Sequence, residues 1–116
     1  MYHRWYKLGW LDLTRNNSYG CIWMSDTPIN TYQQLMAITA EECGELTQVC
    51  MKHIRKYRQQ QDVDEKWNHK LIEEAGDVLC MIELMVEHGL LTDADLRDRI
   101  EVKRNKLKFW SSLINE

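Results

Sequence analysis

The chain has 116 residues, of which 44% are hydrophobic and 28% are charged, and its formal net charge is −3. This length predicts a single domain over 1–116 with a modest core, because a chain of this size buries only about two-thirds of its unfolded surface. The negative charge excludes a general attraction to nucleic acid or to an anionic membrane. One proline and five glycines fit poorly with the many turns of an all-β protein.

No segment of the sequence indicates secretion or a membrane span. The first residues lack the apolar run of a signal peptide, and no apolar run approaches the roughly 18 residues of a spanning helix. The four cysteines, at positions 21, 43, 50 and 80, include no C-x-x-C pair and no zinc-finger spacing. A cytoplasmic protein with reduced thiols is therefore predicted.

An aromatic-rich segment, residues 1–28, comes first and contains Trp5, Trp10 and Trp23. We expect it to be a short helix or an extended segment that packs on the rest of the domain. Helix-start signals follow, with Thr27 before Pro28 suited to N-cap and first-turn positions.

The helical core is predicted over about 29–112, and it begins with a first long helix. Asn30 and Gln33 resemble a capping box, and apolar residues at helical spacing carry the helix to about Tyr57. A polar connection follows at 57–66.

A second helix is predicted from about Lys66 to His88, with Gly89 as its left-handed stop. Its second half, from Val78, is apolar nearly all the way round, which is typical of a helix buried on several sides. Three helices of one small chain can hardly provide that burial. The pattern therefore favours a homodimer or a homotetramer.

A third helix is predicted at about 93–112, with Thr92 and Asp95 as its cap. No segment alternates convincingly between apolar and polar residues with a period of two. The fold class predicted is all-α, an antiparallel helical bundle.

Two similar acidic stretches lie on the first two helices, "EECGEL" at 41–46 and "EEAGDV" at 73–78. In each stretch two acids three residues apart share one helix face, where like charges repel. Each stretch also contains a mid-helix glycine, Gly44 or Gly76, which costs about 0.5–1 kcal/mol relative to alanine. Such a glycine suggests the close approach of another helix or a ligand.

A solvated acidic face would explain one such stretch. Two matching stretches within apolar helices favour a different interpretation, in which the helices lie antiparallel and their acids surround divalent cations. Oxygen ligands of this kind suit Mg²⁺ or Mn²⁺. A di-iron centre is disfavoured, since it requires Glu-x-x-His motifs and no histidine stands three residues after any of these acids.

At these residues the sequence resembles the MazG-like all-α nucleoside triphosphate pyrophosphatases, whose signature is E-E-x-x-E followed by E-x-x-D. "EECGE" (41–45) matches the first half and "EAGD" (74–77) the second, within a resemblance over about 30–112. The superfamily includes dimeric dUTPases, dCTP pyrophosphatases and phosphoribosyl-ATP pyrophosphohydrolase. The resemblance implies an active site in an oligomeric four-helix-bundle core.

The resemblance also implies the roles of individual residues. The Mg²⁺ ligands, with Mn²⁺ as a substitute ion, would be Glu42, Glu45, Glu74 and Asp77. Glu41 matches an additional glutamate that binds a further metal or orients the attacking water, so Glu41 and Glu42 are the catalytic assignments.

Phosphate and base contacts are predicted less directly. On the third helix, Lys103, Asn105 and Lys106 match a region where the family holds phosphates, although a basic helix C-terminus also complements the helix dipole. An aromatic surface for the base would come from Trp5, Trp10 and Trp23; the alternative is that these residues seal the core.

The leading hypothesis is a Mg²⁺-dependent enzyme that converts a (d)NTP and water to the monophosphate and pyrophosphate. The alternative from another class is a non-catalytic helical oligomerisation or cation-binding module. Within the enzyme class, a specialist for phosphoribosyl-ATP or dUTP stays open.

Overall fold

The computed structural model describes residues 29–59 and 62–115. They form three α-helices: α1 at Thr31–Lys56, α2 at Glu65–Glu87 and α3 at Asp93–Trp110. No strand occurs in these two ranges, which confirms the all-α prediction. None of these helices combines the length and the apolar character that a membrane crossing requires. The segment 1–28, with the predicted signals at Thr27 and Pro28, lies outside the described residues.

The start of α1 is fixed by the predicted capping box. The Asn30 side chain accepts a hydrogen bond from the Gln33 amide, and the Gln33 side chain accepts one from the Asn30 amide, each at 2.8 Å. These two bonds satisfy donors that have no partner within the helix. At the other end, Tyr57 has extended backbone angles and its amide donates to the His53 carbonyl.

The junction between α2 and α3 also follows the prediction. Gly89 has a φ of 78°, a left-handed conformation that side-chain-bearing residues rarely adopt. The Thr92 hydroxyl then accepts a hydrogen bond from the Asp95 amide at 3.1 Å, which caps α3.

The third helix ends at Trp110, two residues before the predicted end at about 112. The Ser111 amide and hydroxyl both donate to the Leu107 carbonyl, at 3.0 and 2.9 Å. Serine side chains form such local hydrogen bonds to the backbone, and these bonds compete with the continuation of a helix. Here they accompany an extended Ser111 backbone that stops α3.

The chain divides into two compact units, one up to Met81 and the other from Ile82 onward, so the division falls within α2. In the first unit α1 and α2 run antiparallel. Lys56 contacts Asp64 at 3.5 Å near the connection, and farther along the pair the Trp67 indole donates to the Val49 carbonyl at 3.0 Å.

Three aromatic rings hold this end of the helix pair together. Trp67 on α2 packs against His53, with ring centroids 4.7 Å apart, and its centroid lies 6.1 Å from that of Tyr57. The N-terminus of α2 is capped beside them, where the Asp64 carboxylate accepts a hydrogen bond from the Trp67 amide at 2.7 Å. These contacts set the register between α1 and α2.

Within the described residues, the burial predicted for the apolar half of α2 is only partly reached. Met81 is buried, but Leu79 is 60% exposed, and Ile72, which lies outside this apolar half and directly before Glu73, is 63% exposed. Among the described residues the buried apolar side chains are Leu35, Val49 and Met81. The expected second subunit stays a prediction.

The second unit contains the end of α2 and all of α3. No described residue of α3 is buried. The Lys103 ammonium lies 5.9 Å from the centroid of the exposed Trp110 ring, a distance at which a cation is attracted to the face of an indole.

Candidate metal centre

The antiparallel pairing in the first unit brings the two acidic stretches together. Each helix contributes two carboxylates from one face, as the three-residue spacing requires. One oxygen from each of the four acids lies within 4.8 Å of the other three. The four acids are Glu42, Glu45, Glu74 and Asp77.

Two of these carboxylates are removed from solvent. Glu42 is 4% exposed and Glu74 is 1% exposed, while Glu45 and Asp77 are half-buried. Both carboxylate oxygens of Glu74 are inaccessible to water. Burying carboxylates is costly unless positive charge compensates them, so the arrangement is suited to a cation.

The spacing of the oxygens fits a single hard cation. Ligands on opposite sides of one Mg²⁺ are about 4 Å apart, and those of one Ca²⁺ about 5 Å, given the metal–oxygen distances these ions prefer. The observed limit of 4.8 Å lies in this range. The donor set is entirely carboxylate, which favours Mg²⁺, Mn²⁺ or Ca²⁺ over ions that select nitrogen or sulfur.

Lys70 supplies positive charge beside the cluster. Its ammonium lies 2.8 Å from a Glu74 oxygen and 3.4 Å from a Glu73 oxygen. The close contact with Glu74 is the main cause that raises the pKa of Lys70 above its ordinary value, with a smaller opposing effect from burial. Sequence reasoning missed this residue, although its i,i+4 spacing from Glu74 was the signal available.

Glu41 is half-buried and is not one of the four converging acids. Its predicted role toward water or a further metal stays a prediction. A Cβ atom added at Gly44 or Gly76 would meet nothing within 4 Å, so no residue in the described part of the chain approaches either glycine closely.

The predicted phosphate contacts, Lys103, Asn105 and Lys106, are exposed side chains of α3 and belong to the second unit. Their role stays a prediction. The predicted base contacts, Trp5, Trp10 and Trp23, lie outside the described residues.

The described residues thus define an all-α protein whose paired helices bring together four carboxylates that could hold a cation. The family model of the MazG nucleotide pyrophosphohydrolase domain matches residues 30–107, and the chain belongs to this family. The match covers both acidic stretches and most of α3. Searches of the curated proteins and of the solved structures gave no significant match.

Proposed function

We propose that the protein is a Mg²⁺-dependent nucleoside triphosphate pyrophosphohydrolase, which converts a (d)NTP and water to the (d)NMP and pyrophosphate. The observation that carries this proposal is the convergence of four carboxylates within 4.8 Å, two from each of two paired helices. Membership of the MazG nucleotide pyrophosphohydrolase family supports the reaction class.

The charges explain why such a site needs a cation. A nucleoside triphosphate carries about four negative charges, so four carboxylates would repel it in the absence of a metal. When bound, Mg²⁺ would supply charge neutralisation for the phosphate oxygens and activation of a water. Glu42 and Glu74, the most buried of the four acids, would hold the ion most rigidly.

The remaining steps belong to the protein's own side chains. Glu41 would accept a proton from the water that attacks the α-phosphorus, and the bond between that phosphorus and the α,β-bridging oxygen would break. Lys103, Asn105 and Lys106 would contact the phosphates. Trp5, Trp10 and Trp23 would provide the aromatic surface for the base.

A second copy of the chain is part of this proposal. Ile72 and Leu79, seven residues apart on α2, share one helix face and are each more than half exposed. Covering them would remove apolar surface from water, which stabilises the contact by about 25 cal/mol per Å². We expect Leu79→Lys to shift the chain toward the monomer in light scattering, whereas the exposed control Asp98→Lys should leave the mass unchanged.

The reaction is tested by incubating the protein with the common NTPs and dNTPs, with and without Mg²⁺, and measuring pyrophosphate and orthophosphate separately. Metal-dependent pyrophosphate together with the matching monophosphate is the expected result. Orthophosphate alone would mean a different cleavage point and would contradict the proposal.

Substitution of the acids links this activity to the site. Glu42→Gln and Asp77→Asn should abolish turnover while the helical circular dichroism signal stays. Asp98→Asn, an exposed residue of α3, is the matched control and should retain activity. Turnover that survives both substitutions in the cluster would contradict the assignment of these carboxylates.

The same carboxylates could also hold a structural cation without catalysis, so a non-catalytic cation-binding module is the second candidate. It predicts metal binding without pyrophosphate release from any triphosphate. An enzyme specific for one substrate is a further possibility. Including dUTP and phosphoribosyl-ATP among the substrates distinguishes it from a general pyrophosphohydrolase and from a cation-binding module.

A further inference from the structure

A second feature of the first unit is a groove at the end where α1 and α2 are joined. It has a volume of about 420 Å³, within the range of small-molecule sites. Four lysines line it, two from each helix, along with Trp67 and the two acids Asp64 and Glu73. These lysines are Lys52, Lys56, Lys66 and Lys70.

Two of the four lysines are already engaged by acids. Lys56 lies 3.5 Å from Asp64, and Lys70 contacts Glu73 and Glu74. Within residues 29–59 and 62–115, Lys52 and Lys66 form no ion pair. The groove therefore presents two exposed ammonium groups that are available to a ligand.

The position of Lys66 is electrostatically unfavourable for the helix. It is the second residue of α2, where the partial positive charge of the helix N-terminus disfavours a cation. The same partial charge adds to that of the lysines in attracting an anion. Asp64 and Glu65 offset part of this cost, and an anionic ligand would offset more of it.

One residue, Lys70, links the groove to the carboxylate cluster. Lys70 borders both, because it lines the groove and contacts Glu74. Lys52 follows Glu45 by seven residues, which is two helical turns on the same face and about 10 Å along the axis. A phosphate chain anchored at the carboxylates would meet Lys70 first and Lys52 about one turn beyond it.

From the place of Lys70 between the groove and the carboxylates, we infer that the groove binds the pyrophosphate end of the triphosphate, with Lys52 and Lys66 as further phosphate contacts. The inference rests on the proposed function. The recognised chemistry is a phosphoanhydride anion. That anion could be part of the substrate or a free polyphosphate, so the test has an arm for each source.

The first arm measures binding of inorganic pyrophosphate by calorimetry in saturating Mg²⁺, so that the carboxylates do not repel the anion, and every protein compared keeps the carboxylate cluster unchanged. Wild-type protein should show saturable binding, and Lys52→Gln/Lys66→Gln should weaken it by about tenfold or more, since each lysine makes a charge-assisted contact. The control Arg97→Gln/Arg99→Gln also removes two exposed positive charges, from α3, and should bind as the wild type does. No saturable binding by the wild type, or equal weakening in the control, would overturn the inference.

The second arm uses hydrolysis of a triphosphate substrate in Mg²⁺. The lysine double variant should lose kcat/KM chiefly through a higher KM, and pyrophosphate should compete with the triphosphate in the wild type. Binding of pyrophosphate at the lysines without competition and with an unchanged KM would assign the groove to a free polyphosphate and overturn its assignment to the substrate.

The two proposals fail in different ways. If no triphosphate is hydrolysed but the lysine variant still loses pyrophosphate binding, the reaction is wrong and the anion site stands. If triphosphates are hydrolysed and the lysine variant behaves as the wild type in both arms, the reaction stands and the groove assignment is wrong.

Discussion

Removal of Mg²⁺ should destabilise the fold, because the carboxylate cluster lies in the contact between α1 and α2. Its four oxygens are within 4.8 Å of one another. At that separation and an effective dielectric constant near 20, two unit negative charges repel by about 3.5 kcal/mol. A divalent cation replaces this repulsion with attraction and therefore favours the folded state.

The size of the effect follows from linkage. A ligand that binds only the folded protein stabilises it by about 2.7 kcal/mol at one hundred times its Kd. For a domain of this length the entropy of unfolding converts that energy to a rise of about 10 °C in Tm. Differential scanning calorimetry in EDTA and in saturating Mg²⁺ measures the difference directly.

Asp77→Asn separates the cluster from general effects of the ion. It removes one negative charge with little change of shape, so the metal-free variant should melt no lower than the wild type. Its Mg²⁺-dependent rise should shrink to less than about half, since one ligand charge is lost. Asp98→Asn on α3 is the control and should keep the whole rise.

The opposite pattern would refute this reasoning. An equal Mg²⁺ response in wild type and Asp77→Asn would mean that the ion acts elsewhere. A metal-free Asp77→Asn protein that melts well below the wild type would mean that the carboxylate stabilises the apo fold through contacts other than a cation.

Three further substitutions test the helices. Asn30→Ala removes the capping box and should lower the free energy of unfolding in urea by about 1 kcal/mol; no loss would mean that this end of α1 frays. Met81→Ala removes a buried side chain and should cost about 2–5 kcal/mol in the same assay, whereas a negligible cost would contradict its burial. The pKa of Asp64 lies below its ordinary value of 3.8. The main cause is the hydrogen bond from the Trp67 amide, and the smaller contributions include Lys56. The stabilisation by Asp64 is therefore complete above that ordinary value and is lost as the pH falls through the lower, folded-state pKa. Asp64→Asn keeps the acceptor, so its Tm should fall less than that of the wild type between about pH 5 and pH 2; parallel curves would contradict this origin.

The helix ends were predictable where a local signal decides them. The capping box at Asn30 and the left-handed stop at Gly89 depend on a few neighbouring residues, and both occur where the sequence indicated. The end of α3 was placed two residues too far along, because the spacing of apolar residues continues past Ser111. The hydrogen bonds from Ser111 to Leu107 accompany the end of the helix, and the spacing of apolar residues in the sequence does not indicate them.

Contacts between helices were predictable only in part. The convergence of the acids followed from matching patterns on two helices, since like-charged faces need a shared partner. The packing of Trp67 against His53, and the groove beside it, depend on the register of α1 against α2. That register is set by tertiary contacts near the connection, which the single sequence does not reveal.

The distance between the two acidic stretches along the chain is itself a consequence of antiparallel pairing. From Glu45 to the end of α1 at Lys56 there are 11 residues, and from the start of α2 at Glu65 to Glu74 there are 9. At 1.5 Å per residue these lengths are about 16 and 14 Å. The helical stretch between the acids and the connection is therefore nearly as long in α1 as in α2. For this reason the acids of the two helices lie side by side.

This equality predicts which insertions the site tolerates. One alanine inserted after Cys50, within α1, would rotate the rest of the helix by about 100° relative to the acids. The contacts at Lys56 and the carboxylate cluster could then not both form, so the Mg²⁺-dependent rise in Tm should be lost. One glycine inserted after Arg58, in the connection, lengthens a surface loop at little cost and should preserve the rise. Equal losses from both insertions would mean that the register of the helix pair does not position the acids.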